Sequence, residues 1–395
     1  MKPRLSRKLT GFGTTIFTEM TRLANERGAI NLAQGFPDFD GPDFVKEAAV
    51  TAIRAGHSQY ARMSGVPALN AALSRKYARD YGLAYDGDAE ITVTSGATEA
   101  LFAALQGLCD VGDEVVMFEP FYDSYRAGVY MAGAIPRVVT LHRSGSAGGE
   151  AWAFDREAVR ALFGPRTRVL LLNSPHNPTG KVFTRDELAF LAELCQEHDV
   201  VCISDEVYEH LVYDGVHIPM ATLPGMRART VTVSSLGKTF SLTGWKIGWA
   251  AAPPDLTFAI RSAHQFITFA TATPLQHAAV AAIDAGPEFY RELSTDFQQK
   301  RDILVAGLTR IGFDVTVPAG TYFACAGFGA FGAFGFTDDV AFSKHLIEVG
   351  VAVIPPSVFY VNAEHGRSYV RFAFCKREET LRAALSRLEV LCASR

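Results

Sequence analysis

The feature that most constrains the fold is a strand–helix–strand pattern in the middle of the chain. Val169 to Leu172 is a run of leucine and β-branched residues, and a second apolar run covers Val200 to Ser204. Between them, the segment from Thr184 to about His198 has leucines at helical spacing. Two parallel strands need a crossover connection of this kind, usually a helix. The pattern therefore predicts an α/β fold with a mainly parallel sheet.

Polar residues follow each predicted strand. Asn177 comes shortly after the first strand, Asp205 and Tyr208 follow the second, and Lys238 follows a third apolar run, Thr230 to Val233. Ligands of open α/β sheets bind in the crevice outside the carboxyl ends of the strands. We therefore expect these side chains to lie on one rim of a binding site.

Lys238 lies in a turn of small residues with apolar neighbours. An ammonium group is almost never fully buried without a partner. A lysine held as a neutral amine, or consumed as an imine, avoids that cost. On this segment alone, a Schiff-base lysine and an ordinary surface lysine in a Ser/Gly turn are both open interpretations.

Four spaced motifs carry a family resemblance. In chain order they are Asn177-Pro178-Thr179-Gly180, Asp205-x-x-Tyr208, Ser235-x-x-Lys238 with Gly244-Trp245-Lys246, and Val370-Arg371-Phe372. From about Gly35 to Arg371 the chain resembles the class I/II aminotransferases, which are fold-type I enzymes that use pyridoxal 5′-phosphate. The resemblance implies a three-layer αβα large domain with a mainly parallel sheet, plus a smaller α+β domain. We place the large domain at 44–285 and the small, discontinuous domain at 1–43 and 286–395.

The resemblance also implies roles at the cofactor ring. Lys238 matches the Schiff-base position, and its freed amine is the natural base for the substrate Cα proton. Asp205 matches the carboxylate that keeps the pyridine nitrogen protonated. Asn177 and Tyr208 match the groups that hold the ring hydroxyl as an oxyanion, and Tyr122 matches the aromatic residue that stacks on the ring.

A second set of residues matches the phosphate site. Backbone N–H groups of Ala97 and Thr98, at the start of a predicted helix, suit a phosphate, and Ser235 and Lys246 close its other side. Where much of the family has arginine, Lys246 offers a point charge in place of a bidentate fork, so we expect a weaker grip. Tyr60 resembles the tyrosine that reaches the phosphate of the neighbouring subunit, which implies a homodimer with shared active sites.

The predicted substrate site combines one cation with an apolar wall. Arg371 matches the arginine that clamps the substrate α-carboxylate, a contact that suits a planar two-point grip. Gly35, Phe17 and Asn177 are expected beside it. The segment 265–274, which includes Phe269, is expected to line the pocket from the partner subunit, and it contains no cation for a distal carboxylate.

These stretches resemble the branch that contains kynurenine aminotransferase, glutamine transaminase K and bacterial methionine aminotransferase. The kynurenine type has a tyrosine at the position of Thr98 and a histidine at that of Ala270. We therefore predict transfer of the amino group of methionine, aromatic or other large neutral amino acids to a 2-oxo acid by a ping-pong mechanism. The alternative is a kynurenine–oxoglutarate transaminase or a cysteine-S-conjugate β-lyase on the same scaffold.

Composition and charge argue against several other classes of protein. A net charge of −4 argues against a nucleic-acid partner, and a transcription regulator of this fold needs a DNA-binding domain for which no helix-turn-helix pattern is present. The six cysteines show no metal spacing with histidine, and we expect reduced thiols and no metal. No apolar run follows the basic N-terminus or approaches membrane-span length, so a cytoplasmic location is expected.

Two glycine-rich segments require separate interpretations. Gly327 to Gly332 satisfies the spacing GxGxxG, but a dinucleotide-binding turn leads directly into a helix, and 333–337 retains loop character. We interpret it as a mobile Gly/Phe loop at the domain edge and expect no nicotinamide cofactor. The segment 143–149 is predicted to be a polar surface loop.

Overall fold

The architecture is described from a computed structural model that covers residues 6–9, 11–13, 15–146, 149–336 and 338–394. The strands are β1 (Ile30–Asn31), β2 (Ile91–Ser95), β3 (Glu114–Glu119), β4 (Ile135–Thr140), β5 (His142–Ser146), β6 (Gly149–Ala153), β7 (Thr167–Asn173), β8 (Val201–Asp205), β9 (Thr230–Ser235), β10 (Ile247–Ala251), β11 (Asp314–Val315), β12 (Phe323–Gly327), β13 (Val351–Ala352) and β14 (Tyr369–Ala373). The α-helices are α1 (Ile16–Arg27), α2 (Asp43–Arg54), α3 (Pro67–Tyr81), α4 (Gly96–Leu108), α5 (Asp123–Met131), α6 (Arg156–Arg160), α7 (Arg185–Glu197), α8 (Leu236–Thr239), α9 (Pro254–Ile267), α10 (Thr273–Ile283), α11 (Pro287–Ile311), α12 (Asp339–Val349) and α13 (Glu378–Leu388).

The largest sheet has seven strands in the order β2-β10-β9-β8-β7-β3-β4. Adjacent strands of this sheet run parallel to each other, except that β10 runs antiparallel to both β2 and β9. The predicted strand–helix–strand unit is confirmed as β7, α7 and β8. Thr184 caps α7 and forms a capping box with Glu187, which satisfies backbone N–H groups at the start of the helix.

Helices cover both faces of this sheet. Successive side chains of a strand point to opposite faces, and β7 shows the consequence. Val169 and Leu171 pack in a cluster with residues of α4, α5 and α9, whereas Leu170 and Leu172 pack with residues of α7. The two apolar layers explain why the central strands are buried along their length. The predicted α/β class with three layers is confirmed.

A second body of α and β structure follows the large sheet in the chain. It contains the antiparallel sheet β11-β12-β14 and the parallel pair β1-β13, with α11, α12 and α13 packed around them. The long helix α11 leads into β11, and α12 ends shortly before β13. Because β1 pairs with β13, the N-terminal segment joins this second body. The exact domain boundaries stay a prediction.

Two loop predictions were wrong. Residues 143–146 and 149 belong to the paired strands β5 and β6, in which His142 pairs with Ala153; residues 147 and 148 lie outside the described ranges. The Ser/Gly composition of this segment suggested a loop because these residues form strands only through their mutual pairing; an ion pair also joins Arg143 to Asp314. The segment Gly329–Phe334 is 3-10 helical with a kink at Phe331, and Phe328 and Phe331 are buried in the core around α12. The mobility of this segment stays a prediction.

The described ranges contain no helix that is long and apolar enough to cross a membrane.

Candidate active site

A cavity of roughly 320 Å³ opens at the carboxyl ends of the parallel strands. Twelve of the predicted site residues line it: Phe17, Gly35, Ala97, Thr98, Tyr122, Asn177, Asp205, Tyr208, Ser235, Lys238, Lys246 and Arg371. Two others, Tyr60 and Phe269, do not. The predicted rim of residues is therefore a single site, although its members lie on segments that are distant in sequence.

Asp205 is the last residue of β8 and is buried. The hydroxyl of Tyr125 donates a hydrogen bond to its Oδ2 at 2.6 Å, and the backbone N–H of Val207 donates to Oδ1 at 3.3 Å. Burial raises the pKa of Asp205 to about 6, against the opposing effect of these donors and of Lys238. The carboxylate therefore lacks a full counter-charge and favours a protonated partner in the cavity.

The side chain of Asn173 holds the loop after β7 in place. Nδ2 of Asn173 donates to the carbonyl oxygen of Asp205 at 2.8 Å, and its Oδ1 accepts from the backbone N–H of Asn177 at 2.8 Å. Because β7 and β8 are neighbours with Asn173 opposite Asp205, the sheet register itself sets the spacing between Asn177 and Asp205.

Lys238 lies in the single turn α8, which starts directly after β9. Its Nζ lies 5.8 Å from the ring centroid of Tyr208 and 5.7 Å from that of Tyr322. Burial lowers the pKa of Lys238, and it forms no ion pair with any residue that the structure describes. A partly desolvated amine of this kind is a suitable nucleophile for a carbonyl group.

The start of α4 forms a cradle for an anion. Gly96 has φ +72°, and a Cβ added at Gly248 would lie 2.5 Å from the backbone nitrogen of Ala97. Glycine is therefore required where β10 passes the first turn of α4. The Nζ of Lys246 lies over this turn, 3.2 Å from the position that a Cβ on Gly96 would occupy. A helix N-terminus beside a lysine suits a phosphate group.

Arg371 lies in the middle of β14 and is held on both sides. On one side, Arg371 pairs with Cys325 of β12. On the other side, its backbone N–H and C=O form hydrogen bonds with the backbone of Ile354 at 2.9 and 3.1 Å. The guanidinium donates to the carbonyl oxygen of Ala33 at 2.8 Å and to Oδ1 of Asn177 at 3.3 Å.

The guanidinium of Arg371 is buried, with a residue exposure of 1%, and its Nε has no hydrogen-bond partner. The rings of Phe17, Phe323 and Phe359 lie 4.2 to 5.3 Å from its central carbon. Burial lowers its pKa to about 10, so it stays charged near neutral pH. No carboxylate of the described residues forms an ion pair with it. The site thus contains a buried cation that lacks an anion.

Tyr60 and Phe269 lie outside the cavity of the single chain. Their side chains are largely exposed, at 87% and 43%, and their rings meet edge to face at 5.8 Å. The hydroxyl of Thr273 donates to the carbonyl oxygen of Gln59 at 2.6 Å, which joins the two segments. The structure therefore presents both rings together on the surface.

Three of the cavity residues to which the sequence analysis gave no role contact the predicted site residues directly. Tyr125 bonds Asp205, Asn173 fixes Asn177, and Phe323 covers one face of Arg371. The helical spacing of Tyr122 and Tyr125 was a usable signal for the first of them. The other two contacts depend on strand register, which local sequence does not encode.

The donor set fits pyridoxal phosphate. The cavity offers an amine for an aldehyde, a carboxylate for a ring nitrogen, an anion cradle for a phosphate and a free guanidinium for a carboxylate. Lys238, Asp205, the first turn of α4 and Arg371 supply these four functions in one space.

The chain also matches known proteins along nearly its full length. The family model described as aminotransferase class I and II matches residues 27–388. A probable N-succinyldiaminopimelate aminotransferase, DapC, of Mycobacterium tuberculosis is 44% identical over 97% of this chain and 98% of its own length. The solved structure of N-succinyldiaminopimelate aminotransferase from that organism superimposes with a TM-score of 0.94, at 44% identity, over 98% of this chain and 100% of that one.

Two further relatives have different substrates in their names. The methionine aminotransferase of Escherichia coli is 42% identical, with 97% of each chain covered. The kynurenine–oxoglutarate transaminase of Dictyostelium discoideum is 39% identical over 96% of this chain and 94% of its own length. These relationships confirm the resemblance found in the sequence. The chain belongs to the class I and II aminotransferases, fold-type I transaminases that are generally dependent on pyridoxal phosphate.

Proposed function

We propose that the enzyme moves the amino group of methionine, aromatic or other large neutral amino acids to a 2-oxo acid by a ping-pong mechanism. The observation that carries the proposal is the unpaired, buried guanidinium of Arg371 in a wall of phenylalanines. A substrate α-carboxylate supplies the missing anion, and an apolar side chain then meets apolar surface. An apolar pocket separates related side chains only by about 10–200-fold per methylene, so breadth is expected.

The chain's own residues divide the work of transamination. Pyridoxal phosphate, when bound, supplies an aldehyde that carries the amino group and a ring that withdraws electrons. Asp205 holds the ring nitrogen protonated, Asn177 and Tyr208 hold the ring hydroxyl oxygen, and Tyr122 stacks on the ring. Nζ of Lys238 is the base that accepts and returns the substrate Cα proton.

The remaining proposed roles concern the two ends of the ligands. The N–H groups of Ala97 and Thr98, with Ser235 and Lys246, hold the phosphate. Gly35 and Phe17 flank the substrate beside Arg371. In a homodimer, Tyr60 and Phe269 enter the site of the second copy, Tyr60 at its phosphate and Phe269 at its side-chain pocket. Their exposure and mutual contact support this assignment.

A second candidate substrate is N-succinyldiaminopimelate, which the relative from M. tuberculosis supports. Its far end carries additional carboxylates, and these need cations. The cations that line the cavity are Lys238, Lys246 and Arg371, and all three have roles at the cofactor or the α-carboxylate. The described cavity wall therefore favours a neutral side chain over an acidic one.

The test is a spectrophotometric titration of the loaded enzyme with single amino donors and no oxo-acid acceptor. Methionine and phenylalanine should convert the absorbance of the bound cofactor to the amino form at low concentration, and aspartate should not. N-succinyldiaminopimelate and kynurenine are titrated in parallel. Preferential conversion by N-succinyldiaminopimelate or by aspartate would contradict the proposed neutral pocket, and preferential conversion by kynurenine would favour the kynurenine–oxoglutarate transaminase alternative. Assays for ammonia and pyruvate with a cysteine conjugate measure β-lyase activity.

The role of Lys238 is tested by Lys238→Ala. We expect loss of the lysine-bound absorbance band and of turnover, with an unchanged fold. Lys46→Ala is the matched control, because Lys46 is also partly buried but pairs with Asp40 and Asp43 away from the cavity. Retained turnover in Lys238→Ala would refute the assignment.

Shared sites are tested by mixing two impaired chains. Tyr60→Ala keeps its own Lys238, and Lys238→Ala keeps Tyr60. If Tyr60 serves the partner's site, a hybrid dimer contains one intact site, and random mixing should restore about a quarter of wild-type turnover. If Tyr60 serves its own chain, no intact site forms and mixing restores nothing.

A further inference from the structure

The polar side chains at the end of β8 and in the turn that follows it point in two directions. Asp205 and Tyr208 line the cavity. Glu206 and Glu209 are buried and do not line it, so they point into the body of the protein. The hydroxyl of Ser204 donates a hydrogen bond to Oε1 of Glu206 at 2.7 Å, and Oε2 of Glu206 lies 2.9 Å from Nε2 of His217. The turn is therefore anchored from the side opposite the cavity.

Glu209 is the more heavily bonded of these anchors. Its Oε2 accepts from Nζ of Lys76 at 2.6 Å and from the hydroxyl of Tyr81 at 2.5 Å. Its Oε1 accepts from the hydroxyl of Ser234 at 2.9 Å. The side chains of Lys76 and Glu209 are only 2% and 3% exposed, so the interaction is a buried ion pair with additional hydrogen bonds.

Lys76 balances the negative charge of Glu209 and also lies 3.8 Å from a second carboxylate, that of Asp80. Burial alone would raise the pKa of Glu209, but Lys76 and the donors around it hold that pKa below its usual range. Burial lowers the pKa of the adjacent His210 to about 4, so this imidazole is neutral near pH 7. Replacing a buried ion pair by apolar residues is often neutral or stabilising. Stability alone therefore does not account for a buried pair at this position.

The position of the pair suggests another reason. Ser234 belongs to β9 and directly precedes Ser235, which lines the cavity, and α8 with Lys238 begins one residue later. Lys76 and Tyr81 belong to α3. Glu209 therefore connects the turn after β8 to the end of β9 and braces both against α3. One of the two segments that it joins carries Asp205 and Tyr208, the other carries Ser235 and Lys238, and all four residues line the cavity.

We propose that Lys76 and Glu209 are positioning residues for transamination. The pair sets the spacing between the turn that carries Asp205 and Tyr208 and the turn that carries Lys238. Ser234 and Tyr81 complete the connection. The inference rests on the proposed roles of the cavity residues and assigns a function to a buried pair that touches neither cofactor nor substrate.

The principal experiment replaces the pair by an apolar one, Lys76→Met with Glu209→Leu. This variant is expected to retain the fold but loses the connection to Ser234. We expect about tenfold weaker binding of pyridoxal phosphate, measured by absorbance titration, and about tenfold lower kcat/KM for methionine. The pH midpoint of the absorbance change of the bound cofactor should shift by about half a unit or more.

Glu114→Gln is the matched control. Glu114 is similarly buried, with an exposure of 6%, and pairs with Arg166 at 2.6 Å. It lies at the amino end of β3, whereas the cavity lies at the carboxyl ends of the parallel strands. This substitution should lower the melting temperature and leave cofactor affinity and the spectroscopic midpoint unchanged. A purely structural role for Lys76 and Glu209 predicts that the double variant, too, leaves cofactor affinity and the spectroscopic midpoint unchanged.

Ser234→Ala decides the question if the double variant does not fold, because it removes a single hydrogen bond between Glu209 and β9. It should shift the spectroscopic midpoint and lower kcat/KM, with little change in melting temperature. Values within twofold of wild type and an unmoved midpoint, in whichever variant folds, overturn the inference. Wild-type enzyme that fails to bind pyridoxal phosphate or to accept methionine would instead contradict the proposed function.

Discussion

Lys76 and Arg371 are both buried cations, and they differ in what surrounds them. Lys76 has a carboxylate at 2.6 Å, from Glu209. Arg371 has a carbonyl, an amide oxygen and three aromatic rings, but no carboxylate among the described residues. Burying a charge without an opposite charge is costly. The first cation is therefore complete within the fold, whereas the second leaves space for an anionic ligand.

The anions of the site show the same contrast. Glu209 is paired, and its pKa is held below the usual range. Asp205 accepts two hydrogen bonds, but no cation among the described residues forms an ion pair with it, and burial raises its pKa to about 6. In both comparisons the paired group lies behind the cavity and the unpaired group lines it. Incomplete charge pairing thus distinguishes the proposed ligand-binding groups from the groups behind them.

The largest expected effect concerns the paired cation. Lys76→Met leaves Glu209 buried without its partner, which should lower the free energy of unfolding by about 3–5 kcal/mol. Urea denaturation of the cofactor-free protein measures this change. Adding Glu209→Leu to the same chain should recover most of the loss. A loss below about 1 kcal/mol, a value typical of exposed pairs, would break the comparison.

The unpaired cation should respond in the opposite way. Arg371→Met removes charged hydrogen bonds to the substrate carboxylate, each worth about 1.5–3 kcal/mol, so kcat/KM for methionine should fall by about 100-fold or more. The unfolding free energy of the ligand-free protein should stay constant or rise, since an unpaired buried charge is removed.

Arg301→Met is the control for that substitution. Arg301 is also buried, at 5%, but pairs with Asp214 and Asp302 outside the cavity. This variant should lose stability and keep kcat/KM. If Arg371→Met is the less stable of the two variants, or is fully active, the distinction between paired and unpaired cations fails.

The unpaired anion predicts a pH dependence of stability. Because folding raises the pKa of Asp205 from 3.8 to about 6, its contribution is fully present below pH 3.8 and is lost as pH rises through about 6. Relative to Asp205→Asn, cofactor-free wild type should lose on the order of 2 kcal/mol between pH 4 and 7. If the stabilities of the two proteins change in parallel across this pH range, the charge of Asp205 is instead compensated in the folded protein.

The smallest effect is the response to an inert carboxylate. The compound 3-phenylpropionate has a carboxylate and an apolar tail but no amino group to transfer. At ten times its dissociation constant it should stabilise wild type by about 1.4 kcal/mol. Lys76→Met should show the same increment in melting temperature, and Arg371→Met should show none. Equal stabilisation of all three proteins would place the carboxylate elsewhere.

Local sequence was sufficient wherever a signal lies within one element or its ends. The leucine spacing and the Thr184–Glu187 capping box define α7, and the apolar runs define β7 and β8. Since strands of this kind end at one edge of the sheet, the residues that follow them were correctly expected to share a cavity. The hairpin β5–β6 was missed because its Ser/Gly residues form strands only through their mutual pairing.

The α/β class, the family and about half of the side chains in the cavity could be predicted from the sequence, because these depend on periodicity and on short motifs. The pairing of the buried charges became visible only in the folded chain. Lys76 and Glu209 are 133 residues apart, and Arg371 and Asn177 are 194 apart. Such contacts depend on strand order, register and burial, which bring distant segments together. Local spacing contains no information about whether a buried charge meets a partner.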